Sequence, residues 1–381
     1  MGPVFSNQVD DFALASPDEN IAKEIYKIIG DRIKFPSEKS PPFEYLGLMN
    51  DYNGVKVEQT STNIAIHAKD YITRVLTSHG WDKPSSPTDD RNPKKPPFSP
   101  DMLPNMYKQE GDLEDTPGHA KREDKFGFKY RSILGELMFA YVTCRPDIGY
   151  HVTTLSKFST APADVHYLAL KSVVRYLRST IDWGIIYDRG YTESTLPKTT
   201  RAYIDPPDDL PEFPVAEYKT QLVGYVDAAH ANDLRKRRST TGYAFMINNG
   251  IVSYRSKTQS VTATSSTEAE FLAAVTAAKQ AKYLRAVMKD LGFVQEGPTP
   301  LYEDNESAIN IVNHRVPTER SRHIDIQHFA IQDWAEAGDI IMRHIPGIIN
   351  PPDDLTKPLG WILHSRHARR IMGHYHPIIK Y

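Results

Sequence analysis

The sequence is poor in cysteine, since Cys144 is the single thiol among 381 residues. One thiol excludes an internal disulfide framework and a zinc site built from cysteines. The longest apolar runs are well short of the about 20 residues that a membrane-spanning helix needs. The first residues also lack the basic and apolar segments of a secretion signal. We therefore expect an intracellular protein, cytoplasmic or nuclear, that is not secreted and has no membrane partner.

An excess of charge of one sign is also missing, because Lys and Arg total 46 while Asp and Glu total 48. The formal net charge of −2 argues against a simple basic protein that binds nucleic acid through its overall charge. Local clusters matter more, since clustered Lys and Arg make the contacts to phosphates. Basic clusters lie at 171–178, 235–238 and 366–370, and each is also compatible with an ordinary solvated face. The candidate nucleic-acid contacts are Lys171, Arg175, Arg235, Arg237 and Arg238.

The length allows two ordinary domains, and composition suggests where they divide. Residues 83–117 are rich in Pro, Asp and Lys without apolar periodicity, which predicts a long surface loop. Residues 189–219, centred on Asp205–Asp209, are typical of a linker. Between these segments, residues 164–180 predict an amphipathic helix with Leu168, Leu170, Val174 and Leu177 facing inward. We therefore expect domains at 1–188 and 220–375 with a linker at 189–219.

The second half has a more regular pattern. Apolar runs predict strands at 222–226, 300–303 and 340–344, and a hairpin around Asn248-Asn249-Gly250. Helices are expected from Ser266, up to about Asn313, around 324–337, and at the end of the domain. Strands followed by alternating helices and strands predict a mixed sheet with helices packed on its faces.

The helix that begins near Ser266 contains two glutamates with different roles. At about 100° per residue, Glu270 lies on the alanine-rich stripe that faces the sheet, whereas Glu268 is turned away from it. Ser265 and Glu268 fit a capping box, with Ser265 as the N-cap residue. Glu270 is therefore the candidate for chemistry and Glu268 the structural residue.

Three further carboxylates join Glu270 as candidate metal ligands. Asp227 lies late in a strand, Asp304 ends a strand, and Asp353 opens the last helix, with Asp354 as the alternative. Such a set suits two Mg²⁺ ions about 3.5–4 Å apart that activate water and stabilise the leaving oxygen of a phosphodiester. Mn²⁺ is an alternative ion.

Several motifs occur in a fixed order between about residues 220 and 360. They are YVDAAHANDLRKRRSTTGYAF, SYRSKTQSVTATSSTEAEFLAA, LYEDNESAINI, RSRHIDIQHFAI and DDLTKPL. Together they resemble the ribonuclease H domain of copia-type retrotransposon polyproteins. The resemblance implies a ribonuclease H fold, with a mixed five-stranded sheet and flanking helices, and the same four metal-binding carboxylates. It departs from the family at Ala229-His230 and at Pro352.

The first half resembles the reverse transcriptase of the same polyproteins. QVDDFALAS is similar to the paired-aspartate hairpin, which implies Asp10 and Asp11 as remnant polymerase metal ligands. The segment from Tyr130 to Thr180 resembles the thumb and connection. A third carboxylate is needed upstream of the pair, and Asp10 is only the tenth residue. We therefore expect a truncated palm, thumb and connection region that does not synthesise DNA by itself.

The expected function is cleavage of the RNA strand of RNA–DNA hybrids by two Mg²⁺ ions, with other element-encoded subunits as further partners. In related ribonucleases H a histidine before the final aspartate aids proton transfer, and His344 is the candidate here. The alternative is a catalytically inert transposon relic that at most binds nucleic acid.

Overall fold

The structure, a computed structural model, describes residues 4–8, 11–16, 18–32, 47–83, 95–190, 196–197, 203–207, 209–214, 216–218, 220–313 and 322–375. The first half consists of β1 (Val4–Gln8), β2 (Asp11–Ala15), α1 (Glu19–Arg32), β3 (Asp51–Tyr52), β4 (Val55–Gln59), β5 (Asn63–His67), α2 (Lys69–Ser78), α3 (Met102–Lys108), α4 (Pro117–Phe126), α5 (Tyr130–Thr143), α6 (Gly149–Ser156), α7 (Asp164–Ser179) and β6 (Ile185–Asp188). Strands β1 and β2 form an antiparallel hairpin, and β3, β4, β5 and β6 form an antiparallel sheet in that order.

Two features of the first half differ from the sequence expectation. The described part of 83–117 contains α3, and Phe98 and Met106 are buried in the core, so residues 95–117 are not a surface loop throughout. Their few apolar residues pack on neighbouring elements although they show no periodicity. Helix α7 is present, but Leu168 is 52% exposed, and the prediction that it faces inward was wrong. The adjacent Tyr167 is buried instead.

The second half consists of β7 (Val223–Ala229), β8 (Thr240–Ile247), β9 (Gly250–Thr258), α8 (Ser266–Asp290), β10 (Thr299–Glu303), α9 (Glu306–Asn313), α10 (Arg322–Glu336), β11 (Ile340–His344), α11 (Asp353–Thr356) and α12 (Trp361–Ile371). The sheet order is β11-β10-β7-β8-β9. Strands β11, β10 and β7 are parallel, and β7, β8 and β9 are antiparallel. The predicted mixed five-stranded sheet with flanking helices is confirmed.

The hairpin between β8 and β9 follows from its turn residues. Asn248 and Asn249 have φ angles of 47° and 70°, and Ile247 pairs with Gly250. Two left-handed residues give a turn whose twist matches that of the strands, and asparagine tolerates this conformation better than most residues. The turn is therefore Asn-Asn, with Gly250 already in the strand.

Asp353 opens a single helical turn rather than the last helix. Helix α11 ends where Lys357 adopts an extended conformation (φ −148°, ψ 155°), and α12 begins after Gly360. Pro358 explains the break, because a residue before proline is disfavoured in the helical region. The expected single last helix was wrong for this reason.

The two halves share a hydrophobic core. Residues of α5, α6 and α7 form one cluster with Ala244, Ile251, Leu355, Ile371 and Met372 of the second half. A second cluster lies between α8 and the five-stranded sheet. In the segment 189–219, the ring of Phe213 stacks on Tyr375 of the second half. Among the described residues, no helix combines the length and the apolar character needed to cross a membrane.

Candidate metal centre

Neighbouring parallel strands bring Asp227 and Asp304 together. Tyr302 of β10 is in register with Tyr225 of β7, so two residues further along each strand Asp304 lies beside Asp227. Adjacent strands are about 4.8 Å apart, which places the two carboxyl groups within reach of one metal site. Asn305 then caps α9, since its Oδ1 accepts from the Ala308 N–H at 3.0 Å.

Glu270 reaches the same place from the first turns of α8. Ser265 is the N-cap residue, and its Oγ accepts from the Glu268 N–H at 3.1 Å. Glu268 Oε2 accepts from the Thr264 N–H at 2.7 Å, whereas in a capping box it would accept from the N–H of the N-cap residue, here Ser265. Glu270 is buried, and ligand atoms of Asp227, Glu270 and Asp304 all lie within 4.8 Å of one another.

Helix α11 is held against β7 and β8 beside this group. The Thr356 hydroxyl donates to Asp227 Oδ2, and the Asn232 side chain donates to the Thr356 carbonyl at 2.8 Å. Gly242 of β8 makes this packing possible, because a Cβ there would lie 2.6 Å from the Thr356 methyl group. Asp353 at the start of α11 is therefore fixed next to the strand that carries Asp227.

Asp353 and Asp354 have different surroundings. Burial, and then the charge of Asp227, raises the pKa of Asp353 to about 8, while Lys357 opposes this rise. Asp304 also acts on Asp353. Asp354 is fully buried and pairs with His364, whose Nδ1 lies 2.6 Å from its Oδ1. Asp353 thus interacts electrostatically with Asp227 and Asp304, although it is outside the group of three carboxylates within 4.8 Å, whereas Asp354 belongs to a buried pair with His364.

A fifth acidic residue, Glu303, was missed by the sequence analysis. Its side chain is fully buried, and burial raises its pKa well above the ordinary value, with the charges of Asp227 and Asp304 adding to the effect. Burial and the neighbouring Glu303 likewise raise the pKa of Glu270. The available signal was strand alternation, which puts Glu303 on the same buried face as Leu301.

The donor set fits a hard divalent cation. Mg²⁺ prefers carboxylate oxygens, and the buried Glu270 Oε2 has no hydrogen-bond donor among the described residues. Burial, and then the charge of Asp227, raises the pKa of Asp304. Burial is the largest cause of the raised pKa values of Glu270, Asp304 and Asp353, and the charges of neighbouring carboxylates add to it. A divalent ion would relieve this repulsion.

Other candidate residues lie away from this group or at its edge. His344 is exposed at the end of β11 and is near enough to Asp304 to influence that carboxyl group electrostatically. Arg235 and Arg237 are exposed, and Arg235 lies over the Phe158 ring at 5.0 Å. Arg238 is half-buried.

The basic side chains of α7 contact other residues of the first half of the chain. Lys171 lies 5.6 Å from the ring centres of Phe126 and Phe128, and Arg175 donates to the Pro96 carbonyl at 3.3 Å.

Of the two aspartates expected as remnant polymerase metal ligands, Asp10 lies outside the described residues, and Asp11 is the first residue of β2.

The positions that depart from the family pattern leave the carboxylates in place. His230 Nε2 lies 3.2 Å from the carbonyl oxygen of Ala263. Pro352 precedes α11 with φ −61°, which suits a residue at a helix start.

Comparison with known proteins identifies relatives among transposon polyproteins. The chain is 29% identical over 351 residues to the retrovirus-related Pol polyprotein from transposon TNT 1-94 of Nicotiana tabacum, covering 92% of this chain and 23% of that protein. It is 30% identical over 243 residues to the Pol polyprotein from transposon RE2 of Arabidopsis thaliana, covering 64% of this chain and 15% of that protein. A further relative is the secreted RxLR effector protein 161 of Plasmopara viticola, 38% identical over 155 residues, with 41% of this chain and 90% of that protein covered.

Among solved structures, ribonuclease H1 from Halobacterium salinarum aligns at 18% identity and a TM-score of 0.27, over 36% of this chain and 94% of its own. No protein-family model matches the chain. The sheet order and the flanking helices define a ribonuclease H-like fold. The sequence is similar to the Pol polyproteins of copia-type retrotransposons over up to 92% of this chain. It spans less than a quarter of the length of the TNT 1-94 and RE2 proteins.

Proposed function

We propose that this chain cleaves the RNA strand of RNA–DNA hybrids with two divalent metal ions, as the ribonuclease H part of a copia-type Pol polyprotein. Residues 220–375 carry the activity, and residues 1–188 represent part of the reverse transcriptase. The observation that carries the proposal is the convergence of Asp227, Glu270 and Asp304, with the charges of Asp227 and Asp304 acting on Asp353.

Each residue of the site has a defined task. Asp227, Glu270 and Asp304 would hold one ion, and Asp353 would contribute to holding the second. When bound, the ions activate water and stabilise the leaving oxygen. The Thr356 hydroxyl orients Asp227 through its hydrogen bond.

Substrate selection follows from the shape of the hybrid. The 2′-hydroxyls and the A-like groove of the RNA strand distinguish it from DNA. The exposed Arg235 and Arg237 contact phosphates, which fixes the register without reading sequence. Cleavage is therefore largely independent of base sequence.

A substrate panel tests the proposal. The purified chain is incubated with end-labelled RNA–DNA hybrid, single-stranded RNA, double-stranded RNA and double-stranded DNA, with Mg²⁺, Mn²⁺ or EDTA. The proposal predicts cutting of the hybrid RNA strand with either metal and none in EDTA. Hybrid binding without cutting in both metals would instead support an inert, nucleic-acid-binding relic.

A further inference from the structure

A lysine follows the fourth carboxylate at helical spacing. Lys357 Nζ lies 2.7 Å from Asp353 Oδ1, four residues earlier in the chain. The Asp353 side chain is 13% exposed and the Lys357 side chain 42%. The ammonium group therefore contacts a largely buried carboxylate while part of its side chain remains open to solvent.

The ammonium group of Lys357 interacts electrostatically with several carboxylates of the cluster. Asp227, Asp353 and Asp304 each act electrostatically on the ammonium, and Lys357 acts in turn on Asp304 and Asp353. One positive charge therefore offsets part of the mutual repulsion at the site. A divalent ion would supply the same stabilisation with twice the charge.

The backbone keeps this lysine at the site. Pro358 holds Lys357 in an extended conformation, and the Lys357 N–H donates to the Asp353 carbonyl at 3.2 Å. The Cα of Lys357 is thus fixed beside α11, whereas the partly exposed side chain has room to move its ammonium group into solvent.

We infer that Lys357 is a built-in cation of the carboxylate cluster and competes with one of the two divalent ions for Asp353. The inference rests on the proposed two-metal function. The ion held by Asp227, Glu270 and Asp304 binds without displacing Lys357. The ion that uses Asp353 binds only when the ammonium leaves that carboxylate, so it is the weaker one. Lys357 is a positioning residue that sets the affinity for this ion.

Calorimetric titration of Mn²⁺ into the full chain without nucleic acid, at pH 8.5, tests the inference. Lys357→Gln removes the charge at similar length, and we expect the weaker ion to bind roughly tenfold more tightly. Lys357→Arg keeps the charge and should stay near the parent. The control Lys282→Gln removes a lysine of similar exposure (40%) that pairs with Asp339 at 2.8 Å, and should change nothing.

The direction of the change separates the possible outcomes. An unchanged or weaker second ion in Lys357→Gln would overturn the inference, since a merely structural ion pair would not tighten metal binding when lost. If the parent bound and cleaved but Lys357→Gln did not tighten the second ion, the proposed function would stand and only the inference would fall. If the parent bound no Mn²⁺, both would fall.

Discussion

Asp354 Oδ1 lies 2.6 Å from His364 Nδ1, and both side chains are fully buried, while the preceding Asp353 interacts with the charges of Asp227 and Asp304. The His364 ring also lies edge-on to Tyr176 of α7, with centroids 5.0 Å apart. The two adjacent aspartates therefore have different roles. Asp353 belongs to the candidate metal centre, and Asp354 lies at the contact between the two halves of the chain.

Alanine substitutions at these two neighbours should separate stability from metal binding. Asp354→Ala leaves His364 buried without its partner, and we expect a loss of about 3 kcal/mol in the free energy of unfolding. Asp353→Ala should cost little stability, because it removes a carboxylate that repels its neighbours, but should abolish binding of the weaker ion. Urea unfolding and Mn²⁺ titration of both variants check this. Equal losses of stability in the two variants would contradict it.

Two buried tyrosines of α7, Tyr176 and Tyr167, allow a test of the hydrogen-bond network next to His364. The Tyr176 hydroxyl donates to Asp147 at 2.7 Å, and Asp147 also accepts two hydrogen bonds from Arg145. Tyr176→Phe should lower the free energy of unfolding by about 1–3 kcal/mol. The buried Tyr167 hydroxyl has no hydrogen-bond partner among the described residues, so Tyr167→Phe should be neutral or stabilising. The reverse order in urea unfolding would be evidence against this network.

The metal-free protein should lose stability as the pH rises from 7 to 9. Burial raises the pKa of Asp353 to about 8 in the folded protein, whereas Asp titrates near 3.9 when unfolded. Its stabilising contribution is therefore complete below about pH 4 and is lost as the pH rises through 8. His367 does not contribute to this change above pH 7, because burial lowers its pKa to about 3 and the unfolded value is near 6.5.

Thermal unfolding in EDTA is the measurement for this pH dependence. We expect the Tm to fall by a few degrees between pH 7 and 9, and Mg²⁺ to raise the Tm more at pH 9 than at pH 7. Asp353→Asn should reduce the decline. A Tm in EDTA that rises with pH over this range would be incompatible with a repulsive carboxylate cluster.

The Thr356 hydroxyl should matter for cleavage more than for folding. Its hydrogen bond to Asp227 orients a proposed ligand, and losing such a partner typically lowers activity or metal affinity 10- to 100-fold. Thr356→Val should show this loss with an unchanged circular dichroism spectrum, and Thr356→Ser should retain most activity. Equal activity of the Val and Ser variants would show that the hydroxyl has no such role.

Local patterns were sufficient to predict the five strands and the contrast between Glu268 and Glu270. Alternation and helical spacing depend on nearest neighbours in the chain, so a single sequence contains them. The Asn248-Asn249 turn and the capping by Ser265 are local in the same sense.

Contacts between distant parts of the chain could not be predicted in this way. The burial of Phe98 and Met106, the exposure of Leu168 and the pairing of Asp354 with His364 depend on which elements pack together. Lys357 had a local signal, its spacing of four residues from Asp353, but its interaction with Asp227 and Asp304 appears only in the folded chain.

The most direct test of the account is hybrid cleavage by Asp304→Asn beside the parent and Asp290→Asn, in Mg²⁺ and in EDTA. Asp290 is an exposed aspartate at the end of α8, so its variant controls for loss of one surface charge. We expect metal-dependent cutting of the RNA strand by the parent and by Asp290→Asn, and none by a folded Asp304→Asn. Cutting by Asp304→Asn at the rate of the parent would contradict it.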